Sequence, residues 1–188
     1  MSSRPYAVIL AAGLAGAAAT GTQIVERIAI ADNPGEDLFC DLSDTFQCGS
    51  ILTAWQSSVF GDVPNAMIGL SVFVLMLSAG LSGVLGSTLS KRYLGVLEFF
   101  AVFMLGFTLW YFWQSTFVLG AICVFCIVNG LAVVLINAAL LRLIQREGML
   151  ERNRLTRFIG SFADSGDDKW LWLGLVLAVA AGSWIAVS

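Results

Sequence analysis

The sequence predicts an all-α polytopic membrane protein. It reads as a four-helix transmembrane bundle plus a fifth transmembrane helix, with an outer loop and a half-helix capping the bundle. Three observations predict this. Of 188 residues, 58% are hydrophobic and only 12% charged, and the mean hydropathy is +0.85, far from the composition of a soluble domain. Apolar segments of about 20 residues, the length that crosses a hydrocarbon core, recur along the chain. The basic residues then fall almost entirely on one side of those segments. At this length, 1–188 is a single transmembrane domain with no room for a second, soluble one.

Taken in order, the spans are residues 6–24 or somewhat beyond, 65–86, 93–113, 117–141 and 170–187. Arg4 ahead of a small-residue-rich apolar stretch also fits a cleaved signal peptide, which leaves the other spans unchanged. Arg4, Lys91, Arg92, Arg142, Arg146, Arg152, Arg154, Arg157 and Lys169 share one side if the N-terminus is cytoplasmic. Only Arg27, beside Glu26, lies opposite. The loop 31–63 carries Asp32, Glu36, Asp37, Asp41, Asp44 and Asp62 and no basic residue. Lys and Arg stay inside, so the N-terminus is expected inside and the C-terminus outside. Trp110, Tyr111 and Trp113 at one end of the third span, and Trp170 and Trp172 opening the fifth, read as interfacial belt residues. The linker 142–168 mixes basic residues with Leu143, Leu150, Leu155, Phe158 and Ile159. That pattern suits an amphipathic helix on the cytoplasmic leaflet. Glu98, within the third span, reads as structural, able to pair with Lys91 or Arg92.

The chain has no histidine, which excludes His-ligated haem, His-containing zinc sites and Ser-His or Cys-His catalysis. Chemistry must come from cysteines, carboxylates, hydroxyls or a cofactor. All four cysteines are expected on the outer side, where disulfides persist. Cys40 and Cys48 lie in the acidic loop, within CDLSDTFQC. Cys123 and Cys126, in AICVFCI, sit about one to two turns into the fourth span. At i and i+3 both sulfurs of the latter pair address one pocket, and a helix N-terminus favours the thiolate. Ala121, Ile122, Val124, Phe125 and Ile127 offer an apolar wall suited to a lipophilic cofactor. Phe125 alone equally fits ordinary packing. After Cys48, GSILTAWQSSVFG places Ile51, Trp55 and Val59 on one stripe of a short helix. This is an interfacial half-helix carrying Cys48 toward Cys123, or a plain helix covering the bundle end. Permanent structural disulfides and a four-cysteine metal or Fe–S site are the competing readings. The x7 gap between Cys40 and Cys48 does not suit the metal reading.

CDLSDTFQC followed by a half-helix, then FGDVPNAMIGL, then CVFC at the fourth span together resemble the vitamin K epoxide reductase family in its bacterial standalone form. The resemblance covers about residues 6–141. It implies a bacterial inner-membrane protein that oxidises a thioredoxin-fold thiol oxidase in the periplasm or cell envelope and passes electrons to a quinone, menaquinone or ubiquinone. Because the chain ends at Ser188, the partner is expected to be a separate protein; membrane lipid surrounds the bundle, and no nucleic acid is expected. By motif, Cys123 and Cys126 form the quinone-facing pair, with Cys126 nearest the ring. Cys40 and Cys48 collect electrons from the partner, with Cys48 attacking Cys123. Asn65 matches an asparagine that hydrogen-bonds the quinone carbonyl, although its position also suits a helix cap. Leu52, Trp55, Phe125 and Asn129 complete the expected quinone contacts, although an interhelical hydrogen bond is an equal role for Asn129.

Two departures weaken the transfer of epoxide reduction. Ala54, with Thr53 beside it, stands where the family often has a serine, and Gly130 stands where vertebrate enzymes have a tyrosine. The expected function is therefore a quinone-coupled thiol oxidase. Its rivals are a true epoxide or quinone reductase using the same cysteines, and the four-helix disulfide-bond oxidase of other bacteria, whose cysteine pairs come in the reverse order. A non-enzymatic subunit with structural disulfides is the rival of another class.

Overall fold

The computed structural model describes residues 3–33, 38, 40–41, 43, 46–61, 63–149 and 168–187. These residues are helical apart from loops and one isolated bridge between Phe60 and Val63. In chain order they form α1 (Arg4–Asp32), the short α2 (Cys48–Thr53), α3 (Asn65–Val84), α4 (Lys91–Trp113), α5 (Val124–Arg146) and α6 (Asp168–Val187). Four stretches are long and apolar enough to cross a membrane: Arg4–Asp32, Asn65–Val84, Lys91–Val118 and Val124–Arg146. Within α6 the apolar stretch runs from Trp172 to Gly182. An all-α membrane bundle is the fold.

Two boundaries differ from expectation, and the end of the first span, expected at 24 or somewhat beyond, is fixed. α1 runs on past residue 24 to Asp32, because Glu26 and Arg27 are helix-compatible and find partners on the loop. The fourth span does not begin at 117. Residues Gln114–Val118 form a π turn that finishes α4. Gly120 then takes a left-handed φ of +66°, a conformation that favours glycine, and α5 starts only at Val124. Hydropathy is blind to this break, since Phe117 to Ile122 are apolar whether helical or not. The linker's first residues, to Arg146, continue α5; residues 150–167 lie outside the described residues.

α1 packs along α3 and α5, and α5 along α4, whereas α3 and α4 barely meet. The helices thus form an open circuit with a seam between α3 and α4. Close approach of α1 to α3 depends on glycine. A Cβ on Gly80 would meet the Leu10 backbone N at 2.6 Å, and one on Gly83 would run into the Tyr6 ring. Small residues at such crossings let helices gain dispersion contacts that lipid tails do not otherwise disfavour. The core at the Arg-rich end is apolar: Ile9, Phe73, Met76, Leu94, Leu97, Ile136 and Leu140 are buried there. Asn137 is the buried exception, and its Nδ2 donates to the carbonyls of Val133 and Ala101, tying α5 to α4. Lys91 Nζ donates to the Glu147 carbonyl at 2.6 Å and so ties the ends of α4 and α5. No hydrogen bond joins Lys91 to Glu98, whose Oε2 is buried without a partner among the described residues.

Candidate functional site

At the other end of the bundle a second core forms around sulfur. Cys40, Cys48, Cys123 and Cys126 are buried together with Leu38, Ile51, Leu52 and Ala121, and Tyr111 and Phe125 pack against them. Cys40 and Cys48 are joined in a disulfide across a Cα–Cα distance of 5.7 Å. Cys123 and Cys126 are free thiols.

Local structure delivers each sulfur. Asp41 Oδ1 accepts from the N–H groups of Cys48 (2.5 Å) and Gly49 (3.1 Å). It thereby caps α2 from the loop and folds the loop back over its own disulfide. On the facing side, Ser115 Oγ donates to the Ala121 carbonyl at 2.6 Å and the Ala121 N–H to the Ser115 carbonyl at 3.1 Å. This stitches the segment between α4 and α5 and brings Cys123 to the α5 N-cap in an extended conformation, φ −97° and ψ 126°. Cys126 follows in the first turn. The pair therefore sits at the helix lip, not one to two turns inside it.

The two pairs meet through one contact: Cys48 Sγ lies 3.4 Å from Cys123 Sγ. A disulfide and a neighbouring thiol at this separation are placed for thiol–disulfide exchange through a mixed disulfide. Gln23 on α1 reaches the other pair, its Nε2 lying 3.4 Å from Cys126 Sγ and 3.7 Å from Cys123 Sγ. The Cys126 thiol, donating to Cys123, chiefly holds the Cys123 pKa below the ordinary thiol value. Burial opposes this, while the backbone N–H groups of Cys126 and Phe125 and the Gln23 amide support it. Cys123 is thus the better leaving group and the more readily ionised nucleophile of its surroundings.

Beside the sulfurs lies a cavity of about 110 Å³. Cys126, Asn129 and Val133 of α5 line it with Thr20 and Gln23 of α1, Asn65, Ile68 and Gly69 of α3, and Phe107, Tyr111 and Phe112 of α4. Leu52, Ser57 and Phe60 close it from the loop. Phe60, Phe103 and Phe107 cluster at the α3–α4 seam with ring centroids 5.9 to 6.5 Å apart. The walls are mostly apolar with a few convergent polar groups, as a lipophilic cofactor site needs. Asn129 Nδ2 donates to Gln23 Oε1 at 3.1 Å, while its Oδ1 is buried without a partner and is free to meet a ring hydroxyl. A flat, aromatic head group carrying two oxygens fits such a lining.

Of the residues expected to touch the cofactor, Asn65, Leu52 and Asn129 line this cavity and Trp55 and Phe125 do not. Trp55 is 69% exposed. The half-helix breaks at Ala54, where the backbone turns extended (φ −65°, ψ 149°) before a 3-10 turn, Trp55–Ser58. The i, i+4, i+8 stripe assumed an unbroken helix. With the break, Ile51 is buried while Trp55 and Val59 face out. Phe125 instead packs on the outside of the sulfur cluster. Asn65 is not an N-cap, since Pro64 holds that place. Its Nδ2 donates to the Gln56 carbonyl at 2.6 Å and its Oδ1 accepts from the Val59 N–H at 3.1 Å, tying the loop to α3.

Four further residues join the site although no sequence motif marks them: Gln23, Tyr111, Glu26 and Arg27. Tyr111, read as a belt aromatic, faces the cavity. Arg27 fastens the loop to α1 through the Leu52 carbonyl (3.0 Å) and the hydroxyls of Ser57 and Ser58. Glu26 is buried against Cys40. For Gln23, Glu26 and Arg27 the signal was present: three polar residues within five positions at the end of an apolar run are costly in a membrane unless they serve an interior site. Glu26 and the two loop sulfurs also bring possible metal-ligand atoms within 4.8 Å of one another. Thiolate is the ligating form, however, and a disulfide offers none.

Gly130 has a steric explanation. A Cβ there would lie 3.1 Å from the Phe112 ring, so α4 occupies the space that a larger residue would need.

The profile of the vitamin K epoxide reductase family matches residues 7–142. Comparison with curated proteins gives no significant match. The matched segment contains both cysteine pairs, the loop between them and the four apolar helices, and the chain belongs to the vitamin K epoxide reductase family, whose members are oxidoreductases of quinone-linked disulfide chemistry.

Proposed function

We propose that this protein is a quinone-coupled thiol oxidase that makes disulfides in a thioredoxin-fold partner on the extracytoplasmic side of a bacterial inner membrane. The observation that carries the reading is the 3.4 Å contact between Cys48 and Cys123, which links a loop disulfide to a dithiol at the cofactor cavity. A purely structural role for the cysteines leaves that contact, and the free pair beside it, without purpose.

The relay runs inward. A reduced partner attacks the Cys40–Cys48 disulfide, leaving the loop as a dithiol. Cys48 thiolate then attacks Cys123 of an oxidised Cys123–Cys126 pair. The Cys48–Cys123 bond forms, the Cys123–Cys126 bond breaks, and Cys126 leaves as a thiolate facing the cavity. Cys40 next attacks Cys48, which restores the loop disulfide and releases Cys123. The described state, with the loop pair joined and the other pair free, is the product of this exchange. A bound quinone supplies the two-electron sink that returns Cys123 and Cys126 to the disulfide. Gln23 holds the Cys126 sulfur and accepts from Asn129, whose free Oδ1 would be available to a cofactor hydroxyl, and the aromatic seam would exclude water. Cys40 and Cys48 are 2% and 0% exposed, so the loop must swing outward to meet a partner and fold back to discharge.

Gly130 and its Phe112 neighbour disfavour epoxide reduction, because the hydroxyl expected there is missing. The test is quinone reduction by a reduced thioredoxin-fold dithiol with protein purified in detergent. Turnover by wild type and none by Cys48→Ala or Cys126→Ala is the expected result. No turnover with any dithiol donor would sink the oxidase reading.

A further inference from the structure

The relay leaves one reacting sulfur, Cys40, without an explained proton. On α1, three residues after Gln23, Glu26 is only 7% exposed, yet among the described residues no cation pairs with it. Arg27 beside it turns away to the Leu52 carbonyl and the Ser57 and Ser58 hydroxyls. Glu26 Oε2 instead lies 2.9 Å from Cys40 Sγ. Its Oε1 is buried with no partner among the described residues. A buried carboxyl with no counter-ion among the described residues is costly as a structural feature. It is well used where a proton must cross to a buried sulfur.

We propose that Glu26 is the general base, and in reverse the general acid, for Cys40 in the step that closes the loop disulfide. This rests on the relay reading above. In that step the oxidant is the Cys48–Cys123 mixed disulfide. The Cys40 thiol gives its proton to Glu26 Oε2 as its sulfur attacks Cys48. The Cys40–Cys48 bond forms, the Cys48–Cys123 bond breaks, and the electron pair leaves on Cys123 as thiolate. Cys123 is the sulfur whose thiolate is favoured by its neighbours, so the proton and the electron pair depart in different directions. Reversal returns the proton from Glu26 to Cys40 as Cys123 attacks Cys48.

The geometry fits general catalysis, for which a base at hydrogen-bond reach is the first requirement. Among the described residues, other groups facing Glu26 are few. Asp41 from the loop acts on it electrostatically, the Cys48 sulfur stands with Cys40 beside it, and Cys123 lies beyond Cys48. Cys48 is the disulfide partner of Cys40 and no base, and Asp41 Oδ1 is engaged by the α2 N–H groups, which leaves Glu26 as the carboxyl at Cys40 Sγ.

The test needs neither quinone nor partner. In full-length protein carrying Cys126→Ser, Cys123 has only the loop to exchange with. The Cys40–Cys48 and Cys48–Cys123 bridges then interconvert, and acid quenching followed by peptide mapping gives the rate. With Glu26 intact the rate is expected to be nearly flat across neutral pH. Glu26→Gln should slow it by at least about 100-fold at neutral pH. The rate should then climb with pH and approach the parent value above the ordinary thiol pKa of about 8.5. That recovery separates a lost base from a misfolded protein, which would stay slow at every pH. Glu26→Asp, with its carboxyl drawn back, should retain the flat profile at a reduced rate. A Glu26→Gln rate equal to the parent's at all pH values overturns the proposal, as does a rate that stays slow at high pH. Absence of any Cys48–Cys123 bridge overturns it too. If exchange depends on Glu26 while wild type fails to reduce quinone, the oxidase reading falls and this one stands.

Discussion

The two ends of the bundle are built from the same helices and solve opposite problems. At the Arg-rich end, α1 and α3 close on Gly80 and Gly83 until backbone meets side chain. The core there is aliphatic and aromatic, and its polar groups among the described residues are few: Asn137 donates from Nδ2 to two backbone carbonyls, and Glu98 Oε2 is left without a partner. At the loop end the helices hold apart around a cavity. Gln23, Glu26 and Cys126 are buried there, beside the half-buried Asn129, and several polar atoms have no partner among the described residues. Satisfied polar groups and tight packing give stability. Unsatisfied ones, kept in place by the rigid half, give a site that waits for a ligand and a proton. The closed end is the foundation on which the reactive end is held.

Substitutions break that contrast in graded ways. Cys126→Ala or Cys48→Ala should leave a folded protein whose dithiol-driven quinone reduction falls on the order of 10⁴-fold or more, because each removes a member of a chain that acts as a unit. Gly80→Val belongs to the other end. It should cost about 1–3 kcal/mol, read as a lower unfolding midpoint in detergent, while the surviving folded fraction keeps its specific activity. A loss of turnover out of proportion to folded protein would mean that the two ends are not separable.

Gln23→Ala tests the thiolate at the cavity. Gln23 helps to hold the Cys123 pKa below the ordinary value, so in the reduced protein Cys123 is more ionised at neutral pH than an ordinary thiol. Removing the amide withdraws support from the thiolate alone. The midpoint of the Cys123 alkylation rate should therefore move up by about one pH unit, equivalent to a charge-assisted bond worth about 1.4 kcal/mol. An unmoved midpoint would assign the effect to Cys126 and the backbone N–H groups. Trp55→Ala should do least: 69% exposed and off the cavity, it should change stability by less than about 0.5 kcal/mol and leave turnover unaltered.

Much of this was legible in the sequence, and for physical reasons. Span length and hydropathy follow from bilayer thickness, so the four long helices emerged within a few residues wherever a polar loop ended them. The cysteine motifs pointed to the four sulfurs that the fold brings into one cluster, because thiols in this spacing have few other uses. Hydropathy failed where an apolar chain changes conformation without changing composition. The break at Gly120 moved the start of α5 to Val124, and the extended Ala54 turned Trp55 outward. Gln23, Glu26 and Tyr111 escaped because their roles depend on side chains from distant segments. The Gln23 to Cys126 contact spans 103 positions, and no local pattern encodes it. Polar residues at the end of the first apolar run were the available clue.

The central claim is that electrons cross between the pairs through Cys48 and Cys123 alone. The direct measurement compares two double variants under mild oxidation, with crosslinks identified by peptide mass spectrometry. Cys40→Ala with Cys126→Ala leaves Cys48 and Cys123, whose sulfurs lie 3.4 Å apart; Cys48→Ala with Cys126→Ala leaves Cys40 and Cys123. Rapid, near-complete bridging in the first and little in the second is the predicted result. Equal or faster bridging in the second would contradict the account.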